Sequence, residues 1–211
     1  MPKTTRSIGE IDAVRERILD CAIKILEKNG YENLSMAKLG SKMNMTAANI
    51  YNYYTNKDEL LIAIHKKTYA RLYDVIRNSV KKSDKPLQRV RNIINAFVEF
   101  GTRNINIYDV MFNRPIKQHS DYVGTPLEKI SNDEFHNSLK VLTFAVKVIK
   151  DYRISKADSR TADEELLAIK IFSTLHGVIS LNNSGVLHQV AGDSQRVLKK
   201  IVDDIIHSIS E

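Results

Sequence analysis

Apolar residues recur along most of the chain at the spacing of three and four residues that one face of a helix requires. The first stripe of this kind consists of Val14, Ile18, Ala22, Ile25 and Leu26. It stops at Lys28, which suits a last helical turn, and at Gly30, which accepts the left-handed backbone common just after a helix. The pattern therefore predicts a first helix that ends before Tyr31.

Three capping residues predict the helices that follow. Ser35, Thr46 and Asn56 each precede a helical pattern, and their side chains can accept hydrogen bonds from otherwise free backbone amides. Asn44 lies between the second and third helices, where asparagine tolerates a positive φ. A short helix, a tight turn and another short helix form a helix-turn-helix motif, which we place at about residues 34–53.

The remainder of the chain also has helical patterns, interrupted by one long loop, NRPIKQHSDYVGTP, at residues 113–126. The fourth helix runs on to a turn cluster at residues 81–86. Further helices are predicted at about 86–104, 106–113, 126–151, 161–183 and 193–209. The sequence thus predicts an all-α fold with an N-terminal three-helix domain and a C-terminal helical domain. The turn cluster at 81–86 is the boundary between the two domains that the residue pattern itself favours.

Composition and charge narrow the class of partner. The 211 residues carry a net charge of +7, which favours polyanionic partners. A single cysteine cannot form an intramolecular disulfide, so a cytoplasmic location is the simpler expectation. The N-terminus lacks the apolar core of a secretory signal. The longest uncharged stretch, residues 171–192, contains the polar sequence LNNSG, so we expect no membrane span.

The third helix carries the candidate chemistry. We predict that it spans residues 46–54, with Ala47, Ile50 and Tyr54 facing the other helices. The positions left to face outward are Ala48, Asn49, Asn52 and Tyr53. No acidic residue occurs from Asn33 to Lys57, as a surface that faces phosphate requires. A small helical bundle with a chance acid-free window is the alternative that these observations leave open.

A series of short motifs between Arg15 and Ile64 carries a resemblance. An arginine before IL, the small Ala22, NGY with a following LS, a threonine that opens the third helix, and then IY, YY, NK and DELL follow one another. In this order and spacing, the stretch resembles the N-terminal domain of the tetracycline-repressor (TetR) family. Four positions depart from the residues usual in that family: Gly40 for alanine, Asn44 for glycine, Met45 for valine and Tyr54 for phenylalanine. Gly40 is expected to loosen the second helix by up to about 1 kcal/mol relative to alanine.

The resemblance implies a DNA-binding domain at 11–71, after a flexible basic arm at 1–10, and a regulatory and dimerisation domain at 72–211. The first of these domains would carry a DNA-binding surface. Ser35 and Thr46 would cap helices whose N-termini face phosphate. Tyr51, Tyr53 and Lys57 would bond phosphate oxygens. The residues that would face the bases are Ala47, Ala48, Asn49 and Asn52, while Met36 and Ala37 would approach the DNA backbone. Asparagine can pair with adenine and alanine can contact the thymine methyl group, so we expect an operator rich in A·T pairs.

The C-terminal part of the chain carries no catalytic signature. It lacks a phosphate loop, a dinucleotide glycine pattern, a nucleophile elbow and the HExxH motif, and its histidines are scattered. We therefore expect no enzymatic activity, no cofactor and no metal site.

An excess of apolar surface on the predicted helices at 126–151 and 161–183 indicates a helical subunit interface. The resemblance likewise implies a homodimer, and a two-fold dimer would read a palindromic operator. Candidate interface residues are Leu142, Val146, Leu175, Val178 and Ile179. Charged replacements at Val178 or Ile179 are therefore expected to give monomers.

The resemblance also implies a small-molecule effector bound in the C-terminal domain. Candidate pocket residues, for which a plain core role is the alternative, are Phe97, Phe100, Tyr108, Phe112, Phe135 and His176. Together with the dimer, this predicts a ligand-responsive transcriptional regulator that acts as a repressor on double-stranded DNA. Two alternatives stay open. One is an architectural or activating DNA-binding protein that never responds to a small molecule, and the other is a helical enzyme or adaptor that carries a DNA-binding module.

Overall fold

The computed structural model describes residues 7–156 and 163–210, and every regular element in these two ranges is helical. The all-α fold class is therefore confirmed. The α-helices of the described ranges are α1 (Ile8–Asn29), α2 (Met36–Lys42), α3 (Ala47–Tyr51), α4 (Lys57–Asn78), α5 (Pro86–Arg103), α6 (Ile105–Tyr108), α7 (Glu128–Ser155), α8 (Glu164–Asn183), α9 (Val186–Ala191) and α10 (Ser194–Ser210). Tyr31–Asn33 and His119–Tyr122 form 3₁₀ turns, and Asp109–Asn113 forms a π-helical turn.

Capping side chains set where the first helices begin. The Oγ of Ser7 accepts a hydrogen bond from the amide of Glu10, whose carboxylate accepts one from the amide of Ser7. This capping box starts α1 at Ile8, earlier than the apolar stripe alone predicts. The last positions of the predicted arm at 1–10 are thus helical, and its first six lie outside the described residues.

The three predicted caps are confirmed. Ser35 accepts a hydrogen bond from the amide of Lys38 at 3.1 Å, and Thr46 accepts one from the amide of Asn49 at 3.1 Å. The side chain of Asn56 accepts one from the backbone amide three residues later at 2.8 Å. Each cap binds an amide that has no partner inside its own helix, and so fixes the first turn.

The chain divides into two compact units. Unit 1 contains the residues up to Thr68 together with Asn106–His136, and unit 2 contains Tyr69–Ile105 together with the residues from Asn137 onward. These units do not follow the order of the chain, whereas the predicted division at residues 71 and 72 does. As functional domains, 11–71 and 72–211 therefore stay a prediction.

Unit 1 has a core made by α1, α2, α3 and the first half of α4. Its fully buried side chains include Ile18, Leu26, Leu39, Ile50, Leu60 and Ile64. Residues 106–136 belong to the same unit, and Asn106 donates to the carbonyl of Glu27 at 2.9 Å. The ammonium of Lys117 pairs with Asp58 at 2.7 Å. Ile107, Val110 and Met111 are buried, so this segment adds apolar area as well as polar contacts.

Unit 2 packs α5, α8, α9 and α10 around a second core. Val178, Leu187 and Leu198 form a buried cluster, with Val98, Val197 and Ile201 packed against it. Helix α9, at Val186–Ala191, lies where the sequence predicted a break, and its Leu187 is buried in that cluster. Gly185 and Gly192 flank it with φ of 80° and 70°, values that glycine accepts without strain.

The burial pattern of α8 corrects the predicted subunit interface. Leu175, Val178 and Ile179 are buried within unit 2 itself, so they are core side chains rather than exposed contact residues. Leu142 and Val146 on α7 are half-buried. The exposed apolar side chains of α8 include Leu166, Ile169, Phe172 and Leu181.

Among the described residues, no helix is both long enough and apolar enough to cross a bilayer.

Candidate nucleic-acid interface

The turn between α2 and α3 depends on two residues with unusual backbone demands. Asn44 has a φ of 54°, in the left-handed region that asparagine tolerates. A Cβ added to Gly40 would lie 2.8 Å from the carbonyl oxygen of Met45 and 3.1 Å from the carbonyl carbon of Thr46. The sequence predicted only that Gly40 loosens α2. The structure adds a second role, because the absence of a side chain at Gly40 lets the turn that follows α2 pack closely against this helix.

We expect Gly40→Ala to lower the free energy of unfolding by roughly 1–2 kcal/mol, because forced overpacking costs about 1–3 kcal/mol and alanine regains up to about 1 kcal/mol of helix propensity. Chemical denaturation followed by circular dichroism measures this. The matched control is Gly9→Ala in α1, where an added Cβ meets no atom within 4 Å, so that variant should be as stable as wild type or more stable. Equal stability of the two variants would contradict the close approach.

Helix α3 presents most of the predicted DNA-binding residues to solvent. Thr46, Ala48, Asn49, Tyr51 and Asn52 are exposed. Ala37 is exposed as well, and the partly exposed members of the set are Ser35, Ala47 and Lys57. The cap at Thr46 fixes the first turn of α3, and the exposed side chains of this helix are accessible to a large partner such as DNA.

Two predicted contact residues are buried in the structure, while their place in the DNA contact stays a prediction. Met36 is 6% exposed and Tyr53 is 7% exposed, so neither side chain lies open on the surface. The prediction of Tyr53 as an outward residue assumed that the third helix continues to Tyr54. Helix α3 ends instead at Tyr51, and the chain turns so that Tyr53 and Tyr54 both point inward.

A cluster that we call the latch, made of Arg15, Tyr54, Thr55 and Glu59, holds this inward turn. The guanidinium of Arg15 donates one hydrogen bond to the carbonyl of Tyr53 and another, at 2.8 Å, to Glu59. The other oxygen of Glu59 accepts from the amide of Thr55 at 2.7 Å and from its hydroxyl at 2.9 Å. The latch therefore ties the end of α3 to both α1 and α4.

The aromatic ring of Tyr54 packs against the guanidinium of Arg15. Its ring centroid lies 4.3 Å from the guanidinium carbon of Arg15, a cation–π distance, and its hydroxyl donates to the carbonyl of Arg15 at 3.2 Å. Burial raises the pKa of Tyr54 to about 12, so the hydroxyl remains a donor at neutral pH. The core role that the sequence predicted for Tyr54 is therefore confirmed, with a polar contact added to it.

Glu59 stays ionised in the latch. Burial alone would raise the pKa of this carboxyl, but hydrogen bonds from Arg15 and Thr55 hold its pKa below the ordinary value. The sequence pattern gave Glu59 only the role of an acidic residue in the first turn of α4, where the helix dipole favours negative charge, and it gave Arg15 no role. Their contacts join residues about forty positions apart, which no local pattern shows.

The surface beside α3 has a basic character. Lys38 donates to the side chain of Asn33 at 2.8 Å, and Lys42 is exposed. The ammonium of Lys57 lies 4.4 Å from the ring centroid of Tyr31. No acidic residue occurs from Asn33 to Lys57, so the side chains of this stretch itself add no negative charge that would repel a polyanion.

The six predicted pocket residues fall into both compact units. In unit 2, the ring centroid of Phe97 lies 5.7 Å from that of Phe172, which stacks on His176 at 5.8 Å. The core of that unit also buries Phe100. In unit 1, Tyr108 is fully buried and lies 4.8 Å from Phe112 between ring centroids, while Phe135 stacks on His119 at 5.9 Å. Phe100 and Tyr108 thus take the core role left open for them.

Unit 1 contains a cavity of about 170 Å³ that none of the six predicted pocket residues lines. Its walls come from α4, α7, the 3₁₀ turn after α1 and the loop before α7. The lining residues are Tyr31, Asp58, Leu61, Ile62, His65, Pro115, Ile116, Lys117, His119, Tyr122, Ser131 and Glu134. No group of three or more potential metal ligands occurs among the residues that the structure describes.

The fold and the surface define a helix-turn-helix protein of the kind that places a short helix against DNA. Residues 18–64 match the family described as bacterial regulatory proteins, tetR family, and residues 90–205 match the tetracyclin repressor-like C-terminal domain. The two matches together span most of the chain. It therefore belongs to the TetR family of transcriptional regulators.

Several known proteins are similar to this chain at low sequence identity. The fatty acid metabolism regulator protein of Bacillus subtilis (strain 168) is 22% identical over 79 residues, 37% of this chain and 41% of that protein. The nucleoid occlusion factor SlmA of Cronobacter sakazakii is 20% identical over 167 residues, 79% of this chain and 81% of that protein. The structure of the regulator FadR from Bacillus subtilis in complex with stearoyl-CoA has a TM-score of 0.65 at 16% identity, covering 90% of this chain and 97% of that chain. At this identity, the structural likeness concerns the fold alone.

Proposed function

We propose that the protein is a homodimeric, sequence-specific DNA-binding repressor that a small-molecule effector releases from its operator. The observation that carries the proposal is the exposed face of α3, where Ala48, Asn49 and Asn52 lie beside Tyr51 in a stretch of chain, residues 33–57, that contains no acidic residue. A face of this kind suits the major groove, because amide and methyl groups can address base edges while hydroxyl and ammonium groups bind phosphate.

In this proposal, the roles differ by residue. Asn49 and Asn52 hydrogen-bond base edges, and Ala48 contacts a thymine methyl group. Tyr51 and Lys57 bind phosphate oxygens and so position the helix. Tyr53 acts through its backbone carbonyl, which accepts a hydrogen bond from Arg15 and so anchors the end of α3. Its side chain is buried and makes no contact with DNA in this proposal.

Dimerisation follows from the small size of one reading helix. A single copy of α3 spans too few base pairs for specificity, whereas two copies on a two-fold axis read a palindrome. The exposed apolar side chains of α8, among them Leu166, Ile169 and Leu181, supply surface for a second copy. The dimer and a cytoplasmic location belong to the proposal, as does the A·T-rich operator.

Effector release would act by population shift, in which the ligand favours an arrangement whose reading helices no longer match successive major grooves. The FadR structure is a complex with stearoyl-CoA, which supports a ligand-responsive regulator of this fold. The ligand of that protein does not identify the ligand of this one.

The test is selection of duplex DNA from a random pool at near-physiological salt, with wild type compared with Tyr51→Phe/Lys57→Ala. We expect a palindromic consensus for wild type and an affinity for it that is about tenfold to a hundredfold lower in the variant, since two phosphate contacts contribute about 1–3 kcal/mol together. The salt dependence of binding should also become shallower, because a cation that neutralises phosphate is lost.

The matched control is Tyr73→Phe/Lys170→Ala, which removes the same groups from unit 2 and should leave the affinity unchanged. A wild-type protein that yields no consensus, or that binds only in a salt-sensitive manner without sequence preference, would contradict the proposal. Equal affinities of the two double variants would contradict the assignment of Tyr51 and Lys57.

A second candidate is a DNA-binding protein that never responds to a small molecule. The similarity over 79% of the chain to a protein named nucleoid occlusion factor favours it. The two candidates differ in one observable once the consensus is known. Binding to that DNA falls on addition of an effector in the first case, and stays constant through all metabolite fractions in the second.

A further inference from the structure

The cavity in unit 1 combines apolar walls with two aromatic rings. Leu61 and Ile62 of α4 face Pro115 and Ile116 of the loop across it. Tyr31 and Tyr122 also line it, so a ligand inside would contact aromatic faces as well as aliphatic groups. A cavity of about 150 Å³ is large enough to hold benzene, so this one suits a molecule with roughly six to nine heavy atoms.

Most charges around the cavity are already paired. Asp58 forms an ion pair with Lys117 at 2.7 Å, and Nδ1 of His119 lies 2.9 Å from the hydroxyl of Ser131. Burial lowers the pKa of His65 to about 4, so that ring is neutral at physiological pH. The Asp58–Lys117 pair and the neutral ring of His65 therefore contribute little net charge to attract a ligand.

Glu134 is the exception among the lining residues. Its carboxyl, on α7, makes no ion pair and no hydrogen bond with any residue that the structure describes. Burial raises the pKa of Glu134 to about 7. A half-buried carboxylate without a counter-ion is costly, and a cation in the cavity would remove that cost.

We propose that this cavity binds a small monovalent organic cation, with the carboxylate of Glu134 as its counter-ion and the rings of Tyr31 and Tyr122 as its walls. Cations are attracted to aromatic faces, and a desolvated carboxylate selects them over neutral and anionic molecules of the same shape. The proposal deepens the ligand-responsive function given above and rests on it. An anion as large as stearoyl-CoA fits neither the size nor the charge of this site.

The cavity is connected to the DNA-binding surface within unit 1. Asp58 and Leu61 line it from the first turns of α4, the helix that also carries Lys57 and the latch residue Glu59. The ring of Tyr31 already holds the ammonium of Lys57 at 4.4 Å and the guanidinium of Arg114 at 5.2 Å. A bound cation competes for that ring, moves Lys57 and the start of α4, and thereby lowers the affinity for operator DNA.

The test is isothermal titration calorimetry of the full-length protein with benzylammonium chloride at pH 8, without DNA. We expect saturable binding by wild type and at least tenfold weaker binding by Glu134→Gln. The matched control is Asp133→Asn, which removes an exposed carboxylate next in sequence that pairs with Lys66 at 3.6 Å outside the cavity. This control should bind benzylammonium as wild type does. Benzyl alcohol and benzoate, of the same shape, should bind far more weakly.

The pH dependence of binding gives a second readout. The titratable and charged groups around Glu134 are Tyr31, Asp58, His65, Lys117, His119 and Tyr122. Burial raises the pKa of Tyr122 to about 12, and His65 is neutral well above its pKa of about 4, so neither changes charge between pH 6 and pH 8. Glu134 does, because its pKa is about 7. Wild-type affinity for benzylammonium should thus rise about tenfold from pH 6 to pH 8, as the competent carboxylate form becomes dominant, and Glu134→Gln should lose this rise.

Three results would overturn the proposal: no saturable binding of benzylammonium to wild type at millimolar concentration, equal binding by Glu134→Gln, or equal binding of benzoate. Should Glu134→Gln fail to fold, the wild-type pH dependence and the three-ligand comparison still decide the matter. Because the titration contains no DNA, its failure would leave the DNA-binding function standing. A failed DNA selection, in contrast, would remove the regulator without changing the calorimetry.

Discussion

Ile179→Asp should unfold unit 2 rather than separate a dimer into monomers. Ile179 is 0% exposed, and its neighbour Val178 packs in the cluster with Leu187 and Leu198. A carboxylate placed there has no partner, and an unpaired buried charge costs several kcal/mol of a total stability of about 5–15 kcal/mol. We expect a loss of the cooperative thermal transition in circular dichroism and a low yield of folded protein.

The control for this result is Leu181→Asp on the same helix, whose side chain is 45% exposed. The charge remains in solvent in the monomer, so the variant should keep the thermal transition of wild type. If α8 contacts a second copy, light scattering should show a smaller mass for Leu181→Asp. A folded, monomeric Ile179→Asp protein would instead restore the interface predicted from the sequence.

Arg15→Gln should lower the affinity for the selected operator at least tenfold, although Arg15 touches no DNA in the proposed complex. The substitution removes the hydrogen bond to the carbonyl of Tyr53 and the ion pair with Glu59, a carboxylate that is 9% exposed. The loss in stability is roughly 1–3 kcal/mol, smaller than for a fully buried pair because the arginine side chain is partly exposed. The end of α3 then moves, and its contact residues lose their fixed positions.

The control for this second result is Arg17→Gln, an exposed residue of α1 with the same change in charge. Fluorescence anisotropy with labelled operator should give wild-type affinity for Arg17→Gln and the tenfold loss for Arg15→Gln. A double variant with Glu59→Gln tests the pairing directly, because partners in one ion pair give non-additive effects. Equal affinities of Arg15→Gln and Arg17→Gln would rule out the latch as a positioning device.

The latch also has a pH signature with a definite sign. Since the pKa of Glu59 is held below its ordinary value of 4.5, its contribution to stability is fully present above that value and is lost as the pH falls through the folded-state pKa. Acid denaturation of wild type should therefore be steeper than that of Glu59→Gln in the acidic range.

Local features of the fold were predictable from the sequence. Ser35, Thr46 and Asn56 act as caps because a capping bond joins residues only three positions apart, and Asn44 takes the positive φ that its residue type allows. Helices with a strong apolar stripe were predicted to within a few residues at most ends. Helix α9 was missed because its six residues are too few for a periodic pattern.

The candidate site was predicted less completely, for a tertiary reason. Helical periodicity directed Tyr53 outward, but contacts of Arg15 with residues about forty positions away end α3 early and turn Tyr53 inward. On α8, an almost uniformly apolar sequence cannot show which face meets its own core, and the interface residues were therefore misplaced. The aromatic residues chosen for a pocket missed the cavity because the loop at 113–126 supplies much of its wall.

The return of residues 106–136 to unit 1 limits how freely segments of this regulator can be exchanged with those of other family members. A chimaera that joins residues 1–71 to the effector domain of another family member would separate Glu27, Glu32 and Asp58 from Asn106, Arg114 and Lys117. It would also remove the buried side chains of Ile107, Val110 and Met111 from unit 1 and so expose apolar surface of that unit. A transplant that exchanges only the reading helix, or that carries both segments together, keeps these side chains, so modular engineering of the operator specificity should cut inside unit 1 rather than at its chain boundary.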